Sequence, residues 1–519
     1  MSREIPLKTT LKNLKISPVV GLPFGGATTR VGPGEGVSQE VALMTTPPIR
    51  KGVGEVPEAG AGTSKINEML PPQKEGLPVG GRLQQFWDVW HRNHAPPSVV
   101  EMLKEGYILP FKDKNFHPPL TNKTDFSSSY RNTEKNSALL QAVQDLLEKN
   151  AIEEVKNPSS LGFYSRMFLV PKKDSWRPII DLSHLNQFLE IPKFKMETPE
   201  SVRKELQKGD WITSVDLTDA YLHIPIHKKS RKYLRFKIGD KIYQFKVLPF
   251  GLATAPYLFT KLVKAMKEMA LKLDLGLDIY QYLDDWINRT LTFQDGLEKV
   301  QVLLKFLKKL GFLVNMKKSQ LKPTQNIDFI GYNYNLKIAM VYPTQKRIES
   351  IQTEIPQFLQ LKIKTARNLM SIIGLLAATE KMVPFGRLHM RSLQFILNTK
   401  WNYKMSLESQ IHLDKFAIQD LNWWLQIENL CKGSPLHPPK SEIDIFTDAS
   451  VIGWGAHCLD KNVKGQWDLQ DKEKHINYLE LKAVWLALQN FQFMVKNKVV
   501  LIHTDNTTVA TFQNKQGGT

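Results

Sequence analysis

Two adjacent carboxylates, Asp284 and Asp285, stand between two apolar runs in the segment DIYQYLDDWINRT. Tyr280, Tyr282 and Ile287 are residue types that favour β-strands, so the acidic pair falls at the tip of a predicted hairpin. Two like charges at such a tip either face water at an ordinary turn or are held together by a cation. The segment by itself favours the ordinary turn, and the rest of the chain has to decide.

A second acidic position lies at the end of the apolar run WITSVDL, where Asp216 is followed by Asp219 and Tyr221. In an antiparallel sheet backed by helices, this strand end could lie beside the hairpin that carries Asp284. Converging carboxylates repel one another strongly unless divalent cations neutralise them. Mg²⁺ prefers carboxylate and phosphate oxygens, and two such ions can activate a hydroxyl and stabilise a leaving pyrophosphate. The two segments together therefore favour a nucleotidyl-transfer site with Mg²⁺.

A third set of acidic residues lies near the C-terminal end of the sequence. Asp448 ends the predicted strand IDIFTDAS, Glu480 opens the predicted helix YLELKAVWLALQNF, and Asp505 ends the predicted strand VVLIHTD. The buried stripe of that helix is predicted to contain Leu481, Val484, Trp485 and Leu488. A carboxylate beside this stripe needs a cation or a hydrogen-bonded partner. Each of the three acids could instead be a cap or a member of a salt bridge.

Length and charge limit the class of protein. With 519 residues the chain exceeds what one hydrophobic core usually serves, so several domains are expected. Lys and Arg number 70 against 51 Asp and Glu, and the net charge of +19 favours a polyanionic partner, with nucleic acid ahead of an acidic membrane. The alternative is a soluble basic protein without such a partner. The two cysteines provide no disulfide framework and no CxxC zinc site, which fits a reducing compartment.

The residue pattern divides the chain into five segments. Residues 1–80 are rich in Gly, Pro and Thr, which predicts disorder, and order is expected to begin within 81–128. Strand-like runs and two amphipathic helices fill 129–340, and residues 341–440 have a mostly helical pattern. Residues 441–519 alternate strands with a helix, as in a separate α/β unit. The predicted fold class is therefore α+β with several domains.

We expect an intracellular protein, in the cytoplasm or the nucleus. The sequence contains no apolar run of about 18 residues, so no membrane span is predicted. The apolar stretch near its start, SPVVGLPFGGA, is interrupted by Pro and Gly and does not form the core of a signal peptide.

The motifs SVDLTDAYLHIPI, LPFGLATAPYLF and YLDD resemble, in this order, the motif series of reverse transcriptases from long-terminal-repeat-type retroelements and retroviruses. PKKDSWRPIIDLSHLN lies upstream of the series, and GFLVNMKKSQL and FIGY lie downstream, over roughly residues 150–335. Each motif is weak alone, but the complete order is specific. The resemblance implies an RNA-directed DNA polymerase that uses an RNA or DNA template-primer and deoxynucleoside triphosphates.

The same resemblance implies the architecture of a right-hand polymerase. Fingers and a palm with an antiparallel sheet would fill residues 129–340, and a helical thumb and connection would fill 341–440. The segment 81–128 would be an ordered N-terminal extension of the polymerase. Residues 441–519 resemble a ribonuclease H-like α/β domain.

The resemblance also assigns roles to individual residues. Asp216, Asp284 and Asp285 match the metal-binding catalytic carboxylates, and Tyr221 matches the aromatic gate that excludes a ribose 2′-hydroxyl. Other residues match positions that bind the incoming nucleotide, namely Lys172, Arg177, Asp219, Phe250, and Lys317 or its neighbour Lys318. Three further acids match the catalytic metal ligands of ribonuclease H, which would hold a second pair of Mg²⁺ ions, namely Asp448, Glu480 and Asp505.

Ordinary structural roles stay open for several of these residues. Tyr221 and Phe250 could be core residues, and Arg177 could make only a surface ion pair. His223 and His227 have the spacing of metal ligands, but in a predicted strand they are ordinary residues on one face.

The resemblance is incomplete near the end of the sequence. Ribonuclease H enzymes carry a fourth carboxylate, and no acidic residue follows Asp505, so the predicted domain is truncated and its nuclease activity is less favoured than the polymerase activity. The stretches GGRLQQFW and ATEKMVPFGRLHMRSLQ resemble the DIRS-like group of retrotransposons, which encode a tyrosine recombinase. Two other functions stay open. One is an inactive nucleic-acid-binding remnant of such an element, and the other is a cellular nuclease that uses Asp448, Glu480 and Asp505.

Overall fold

The computed structural model describes most of the chain after the N-terminal segment. The described residues are 76–113, 118–122, 129, 133–157, 159–172 and 175–517, with the backbone of strand β1 (Lys12–Ile16). Apart from that strand and residues 76–80, the segment 1–80 that was predicted to be disordered lies outside the described residues. The chain divides into two compact units, which are residues 58–344 and residues 345–519 together with 1–57.

The unit of residues 58–344 combines antiparallel strands with helices around one large core. Its strands are β2 (Ile152–Glu154), β3 (Met167–Lys172), β4 (Ser175–Ile180), β5 (Trp211–Asp216), β6 (Arg235–Ile238), β7 (Lys241–Phe245), β8 (Asp278–Tyr282), β9 (Asp285–Thr290), β10 (Gln320–Thr324), β11 (Asn326–Phe329), β12 (Tyr332–Asn335) and β13 (Met340–Pro343). Its helices are α1 (Trp87–Arg92), α2 (Pro97–Glu105), α3 (Thr133–Glu148), α4 (Ser183–Asn186), α5 (Pro199–Glu205), α6 (Lys228–Arg231), α7 (Ala255–Lys272) and α8 (Phe293–Lys309), with 3₁₀ turns at Arg82–Phe86 and Ala220–His223.

The central sheet of this unit has the strand order β10-β5-β9-β8, and all of its neighbours are antiparallel. Helix α8 packs against β5, β9 and β10. Strands β11 to β13 form an antiparallel meander, β2, β7 and β6 form a smaller sheet, and β3 and β4 form a separate hairpin. The predicted antiparallel sheet backed by helices is therefore present.

Helix α8 has a clear start and a clear end in the sequence. Thr292 accepts the N–H of Asp295 on its side chain at 3.1 Å, which satisfies a backbone donor of the first turn. The chain leaves the helix through Gly311, whose φ of +93° is a conformation that favours glycine. A Cβ atom at Gly311 would lie 2.6 Å from a ring carbon of Phe86, so the close approach of the N-terminal extension also requires glycine.

The N-terminal extension folds onto this unit through buried polar contacts. The Arg82 guanidinium donates from Nε to the carbonyl of Gly311 at 3.0 Å, and the Trp90 indole donates to the carbonyl of Leu310 at 3.0 Å. The Trp90 ring also meets the Phe312 ring edge-on, with centroids 6.0 Å apart. The extension thereby holds the segment that follows α8.

The second unit begins with helices that share a core of their own. They are α9 (Gln345–Gln360), α10 (Ala366–Ala377), α11 (Arg391–Lys400), α12 (Lys415–Leu425) and α13 (Ile427–Cys431), with a 3₁₀ turn at Leu388–Met390 and the two-residue strand β14 (Ser434–Pro435). Leu421 and Trp424 are fully buried among them. The helical pattern that the sequence predicted for this part is therefore observed.

The second part of this unit is a five-stranded sheet with helices. It contains β15 (Ile443–Ala449), β16 (Gly453–Cys458), β17 (Lys461–Gln466), β18 (Val500–Thr504), α14 (Leu469–Lys472), α15 (Ile476–Asn490), α16 (Gln492–Val495) and α17 (Thr507–Asn514). The strand order is β1-β18-β15-β16-β17. β15 and β18 run parallel, and the other neighbours are antiparallel. Helix α15 packs on β15 and β16.

One prediction of local structure in this part of the sequence is wrong, and two features of the structure were not predicted. The first part of the run YLHIPIH, predicted as a strand, belongs to the 3₁₀ turn Ala220–His223, where Leu222 N–H bonds to Asp219 O at 2.9 Å and Ile224 N–H to Tyr221 O at 3.1 Å. In the rest of the run, Pro225 and Ile226 make only single bridges, to Val247 and Tyr107. Strand β17 was not predicted, and neither was the meander β11–β13.

The predicted buried stripe of α15 is also partly wrong. Trp485 is 53% exposed, whereas the helix buries Leu479, Glu480, Ala483, Val484 and Ala487. The buried positions lie on one face of the helix. This face shares only Val484 with the predicted stripe and contains two alanines where large apolar residues were expected. Among the described residues, no helix has both the length and the apolar character that a membrane crossing requires.

Candidate active site

Backbone pairing brings two of the predicted catalytic acids together. β5 runs antiparallel to β9, and the last pair of this ladder sets Asp216 directly opposite Asp285. Residues in this relation share one face of the sheet, with Cβ atoms about 5 Å apart. Asp284 precedes Asp285 at the tip of the β8–β9 hairpin. The structure thus gathers the three acids at one end of the central sheet.

Local contacts fix the hairpin tip. Leu283 has a φ of +53°, which is uncommon for a residue other than glycine. The Trp286 indole, only 1% exposed, donates to the carbonyl of Leu283 at 2.7 Å, so a buried ring anchors the turn. The N–H of Leu217 donates to the carbonyl of Asp284 at 3.3 Å and ties the tip to the end of β5.

The acids repel one another in the absence of a cation. Partial burial of its carboxyl, together with the charges of Asp284 and Asp216, raises the pKa of Asp285 to about 6, and the Lys318 ammonium opposes this shift. A carboxyl with a pKa this high holds its proton more readily than an ordinary aspartate. Near pH 7 the carboxyl of Asp285 is still mostly ionised, and a bound cation would relieve its repulsion from Asp284 and Asp216.

Lys318 is the lysine that meets the acids. Its Nζ lies 3.7 Å from Oδ1 of Asp216, whereas Lys317, the lysine named first from the sequence, is exposed and has no such contact in the described structure. A cavity of about 270 Å³ is lined by Asp216, Asp285, Lys318 and also Asp328. The Lys318 ammonium and the carboxylates of Asp216 and Asp285 thus line one cavity at the end of the sheet.

Tyr221 lies on the 3₁₀ turn that follows β5. Its ring is 8% exposed, and its centroid lies 5.1 Å from the Phe250 ring and 5.6 Å from the Phe259 ring. Burial and the nearby charge of Asp284 raise the pKa of the Tyr221 hydroxyl to about 12, so the phenol stays neutral. Phe250 is still 37% exposed. The rings therefore form a rigid apolar wall next to Asp284.

The other predicted nucleotide-binding residues lie on nearby elements. Asp219 has a φ of +47°, and its carboxylate pairs with the Lys149 ammonium at 2.9 Å. Arg177 is exposed on β4, opposite Val170 of β3. Lys172 is the last residue of β3, and its side chain lies outside the described part of the chain. The structure gives the positions of these residues, and their roles stay predictions.

The third set of acids forms a compact cluster in the other unit. Asp448 lies on β15, Glu480 on α15 and Asp505 directly after β18, and one carboxylate oxygen of each lies within 4.8 Å of the others. Among the described residues, no other set of three acids has carboxylate oxygens this close together. In particular, the oxygens of Asp216, Asp284 and Asp285 do not all lie within 4.8 Å of one another. The sequence had predicted the grouping of Asp448, Glu480 and Asp505.

The environment of Glu480 fits a bound cation. Burial, with the added charges of Asp505 and Asp448, raises the pKa of Glu480 to about 7. Its Oε2 atom is buried without a hydrogen-bond partner. A buried carboxylate oxygen without a partner is costly, and a set of carboxylate oxygens is the donor set that hard divalent cations prefer. The residues present therefore suit a divalent metal ion.

Residues 170–334 match a family described as reverse transcriptase (RNA-dependent DNA polymerase). The match contains the paired strands β5 and β9, the three acids at their ends and the Tyr221 turn. This part of the chain is a reverse transcriptase domain. The prediction of such a domain from its ordered motifs is therefore confirmed.

Viral polyproteins share sequence with the reverse transcriptase domain and its surroundings. The genome polyprotein of Petunia vein clearing virus is 24% identical over 466 residues, which cover 84% of this chain and 20% of the polyprotein. The putative enzymatic polyprotein of Cassava vein mosaic virus is 25% identical over 394 residues, which cover 71% of this chain and 56% of the polyprotein. The chain thus spans between one-fifth and just over half of these relatives.

Solved structures of the foamy viral protease-reverse transcriptase have a similar fold. A dRH form in complex with double-stranded DNA matches with a TM-score of 0.51 and 19% identity, over 83% of this chain and 76% of that chain. A complex with an RNA/DNA hybrid matches with a TM-score of 0.50 and 18% identity, over 83% of this chain and 59% of that chain. At this identity the likeness concerns the fold.

Sequence reasoning missed three residues that contact the predicted site. Lys149 pairs with Asp219, Ser319 accepts the N–H of Asp216 on its hydroxyl at 3.1 Å, and Asp328 lines the cavity beside Asp216. Lys149 and Asp328 come from outside the quoted motifs, whereas Ser319 lies within GFLVNMKKSQL. That motif, and FIGY, which begins directly after Asp328, were the signals in the sequence that pointed to this place.

We predict that divalent-ion binding by the Asp448–Glu480–Asp505 cluster strengthens as the pH rises from 6 to 8. Because the pKa of Glu480 is raised to about 7, the ion has to displace a proton below that pH. Each pH unit below the pKa lowers the ionised fraction about tenfold. Calorimetric titration of Mn²⁺ into the full chain at pH 6, 7 and 8 measures the effect.

The informative quantity in that titration is the difference in Mn²⁺ affinity between the wild type and Glu480→Gln. This difference should grow from pH 6 to pH 8, and Glu473→Gln, at an exposed glutamate of the same unit, should behave as the wild type. A difference that does not change with pH would contradict the proposed linkage between proton and metal.

Proposed function

We propose that this protein is an RNA-directed DNA polymerase that extends a primer on an RNA or DNA template with deoxynucleoside triphosphates. The observation that carries the proposal is the pairing of β5 with β9, which sets Asp216 opposite Asp285 and beside Asp284 within the reverse transcriptase domain. The similar foamy viral structures hold double-stranded DNA or an RNA/DNA hybrid. The net charge of +19 favours the same class of ligand.

Asp216, Asp284 and Asp285 would hold two Mg²⁺ ions in this mechanism. When bound, the ions would lower the pKa of the primer 3′-hydroxyl and stabilise the negative charge of the leaving pyrophosphate. The raised pKa of Asp285 supports this assignment, because it reflects repulsion from Asp284 and Asp216 that bound cations would relieve. Lys318 lies 3.7 Å from Asp216 and, rather than Lys317, would be the lysine that meets the pyrophosphate.

Tyr221 would select the sugar of the incoming nucleotide. A rigid ring beside the reacting centre leaves no room for a ribose 2′-hydroxyl, whereas a deoxyribose fits. The contacts of Tyr221 with Phe250 and Phe259 support this role, because they prevent the ring from moving aside. The neutral phenol brings no charge to the triphosphate.

The triphosphate would be bound from two sides. Arg177 is exposed on the β3–β4 hairpin, and a guanidinium can bind two phosphate oxygens at once. Lys172 belongs to the same hairpin and would add a second cation. On the other side, Asp219 precedes the 3₁₀ turn, and its backbone would meet the phosphates while Lys149 neutralises its carboxylate.

A second activity, cleavage of the RNA strand of an RNA–DNA hybrid, is proposed for the Asp448–Glu480–Asp505 cluster. The unpartnered Oε2 of Glu480 and the grouping of the three acids favour it. Two Mg²⁺ ions in this cluster would activate water for attack on a phosphodiester. The cluster contains three acids where the resembled enzymes have four.

The chain would belong to a retroelement. The polyprotein relatives support a viral or retrotransposon origin, and the stretches GGRLQQFW and ATEKMVPFGRLHMRSLQ favour the DIRS-like group within it. In the structure the first of these stretches belongs to the extension that packs on the reverse transcriptase domain.

Asp284→Asn should lower the rate of primer extension by at least about 100-fold, because it removes a charge that would hold the ions. Binding of the template-primer should remain close to that of the wild type. Single-turnover extension on an RNA template with Mg²⁺ measures the first quantity, and fluorescence anisotropy measures the second. Asp240→Asn, at an exposed turn between β6 and β7, is the matched control and should extend normally. Wild-type extension by Asp284→Asn would refute the proposal.

Tyr221→Ala should raise incorporation of ribonucleotides relative to deoxyribonucleotides by about tenfold or more, since the ring that excludes the 2′-hydroxyl is gone. Tyr221→Phe keeps the ring and should retain the selectivity of the wild type. The ratio of kcat/KM values for the two sugars measures the effect. Unchanged selectivity in Tyr221→Ala would show that Tyr221 is only a core residue.

Glu480→Gln should abolish Mg²⁺-dependent cleavage of the RNA strand in an RNA–DNA hybrid while primer extension continues. The substitution keeps the size of the side chain and removes the charge that the ions need. Cleavage of an end-labelled hybrid measures the effect, and Glu473→Gln provides the control. If the wild type does not cleave, or if Glu480→Gln cleaves equally well, the nuclease proposal fails and the polymerase proposal stands.

A further inference from the structure

His223 is fully buried directly behind the turn that carries Tyr221. Its Nδ1 atom lies 3.2 Å from the carbonyl oxygen of Ala220, and its Nε2 atom lies 3.0 Å from the backbone nitrogen of Leu313. The imidazole therefore spans two backbone segments that are 90 residues apart in the sequence. The proposed function assigns no role to this histidine.

The two contacts determine the tautomer of His223. A backbone N–H only donates, so Nε2 must accept the bond from Leu313. Nδ1 must then carry the proton and donate it to the Ala220 carbonyl. Burial lowers the pKa of His223 to about 4, so the ring is neutral near pH 7. Protonation of Nε2 would point two donors at each other and break the link to Leu313.

Leu313 belongs to a segment that also holds the catalytic strand. The carbonyl of Leu313 accepts the N–H of Thr218 at 2.9 Å, and the N–H of Asn315 donates to the carbonyl of Asp216 at 2.8 Å. The segment is thus bonded to Asp216 itself, at the end of β5, and to Thr218 two residues further on. A group that bonds to Leu313 is therefore held at a defined distance from Asp216.

Aromatic packing adds to this link. The Phe312 ring contacts His223 at a centroid distance of 5.6 Å and Trp286 at 5.9 Å. Trp286 directly follows Asp285, and its indole anchors the hairpin tip. Phe312 therefore joins the histidine to the hairpin that carries the other two acids.

The Tyr221 turn has few bonds of its own that could replace this link. It is a single 3₁₀ turn, whose internal bonds join residues 219 to 224 and do not reach Asp216. The carbonyl of Ile224, directly after the turn, accepts the N–H of Leu248 at 3.0 Å. The carbonyl of Leu222 accepts the N–H of Gly81 at 2.8 Å, which ties the turn to the N-terminal extension rather than to the catalytic strand. His223 is the side chain of this turn that is bonded to the segment holding Asp216.

We propose that His223 is a positioning residue, which as the neutral Nδ1–H tautomer sets the place of the Tyr221 gate relative to the catalytic acids and thereby controls both nucleotide affinity and sugar selection. The inference rests on the proposed polymerase function. It assigns to His223 no contact with substrate or metal. The segment around Leu313 acts as the common support for the gate and the acids.

His223→Phe tests this role, because it fills the space of the ring but offers no acceptor to Leu313 and no donor to Ala220. We expect KM for deoxynucleotides to rise about tenfold and selectivity against ribonucleotides to fall about tenfold, the effect of one lost buried hydrogen bond in positioning the gate. The Kd for template-primer should stay unchanged. His223→Gln, whose amide oxygen can accept the Leu313 N–H, should have a KM and a sugar selectivity between those of His223→Phe and the wild type.

Tyr334→Phe is the matched control for a general loss of stability. It also removes a bond from a buried side chain to a backbone carbonyl, that of Pro199 at 3.1 Å, within the same unit. This variant should keep the KM and the sugar selectivity of the wild type. If His223→Phe extends primers with wild-type KM and selectivity, the inference is wrong. If the wild type itself extends no primer, the proposed function fails instead.

The tautomer can be measured without any activity. In a protein labelled with ¹⁵N-histidine, long-range ¹H–¹⁵N spectra should show a protonated Nδ1 and an unprotonated Nε2 for His223 between pH 6 and pH 8, assigned by their absence in His223→Gln. A protonated Nε2 in this range would overturn the inference, whether or not His223→Phe folds.

Discussion

The structure of the reverse transcriptase domain depends on holding like charges together. The ladder between β5 and β9 sets Asp216 opposite Asp285, and the hairpin turn adds Asp284. Two carboxylates in directly opposite positions destabilise a sheet. The buried Trp286 ring and its bond to the Leu283 carbonyl hold the turn in place despite this repulsion. In the proposed mechanism, bound divalent cations would neutralise the acids and so relieve this repulsion.

The same constraint explains the packing behind the acids. A site built from two strand ends needs a third element to fix both, and the segment after helix α8 has this role. Phe312 contacts Trp286, while Asn315 bonds to the carbonyl of Asp216. Arg82 and Trp90 of the N-terminal extension bond to the start of this segment. The extension is thereby part of the support of the acids, although it lies far from them in the sequence.

The sequence predicted the parts of this site that depend on local pattern. The hairpin at Asp284, the strand end at Asp216 and helix α7 were all placed correctly, because alternation and helical spacing are local signals. The run YLHIPIH was predicted as a strand, yet its first residues belong to a 3₁₀ turn whose His223 ring accepts the N–H of the distant Leu313. The choice between Lys317 and Lys318 also depends on tertiary geometry. Contacts between distant segments leave no periodic signal in one sequence.

The most direct measurement of the central claim is the position of bound metal. Crystals of the protein with an RNA–DNA template-primer, a deoxynucleoside triphosphate and Mn²⁺ would give anomalous peaks at the ions. If Asp216 and Asp284 hold the ions together, peaks will lie about 2.2 Å from carboxylate oxygens of both residues, a distance typical of oxygen ligands for such ions. Peaks confined to the Asp448–Glu480–Asp505 cluster, with none shared by Asp216 and Asp284 while the nucleotide is bound, would contradict the claim.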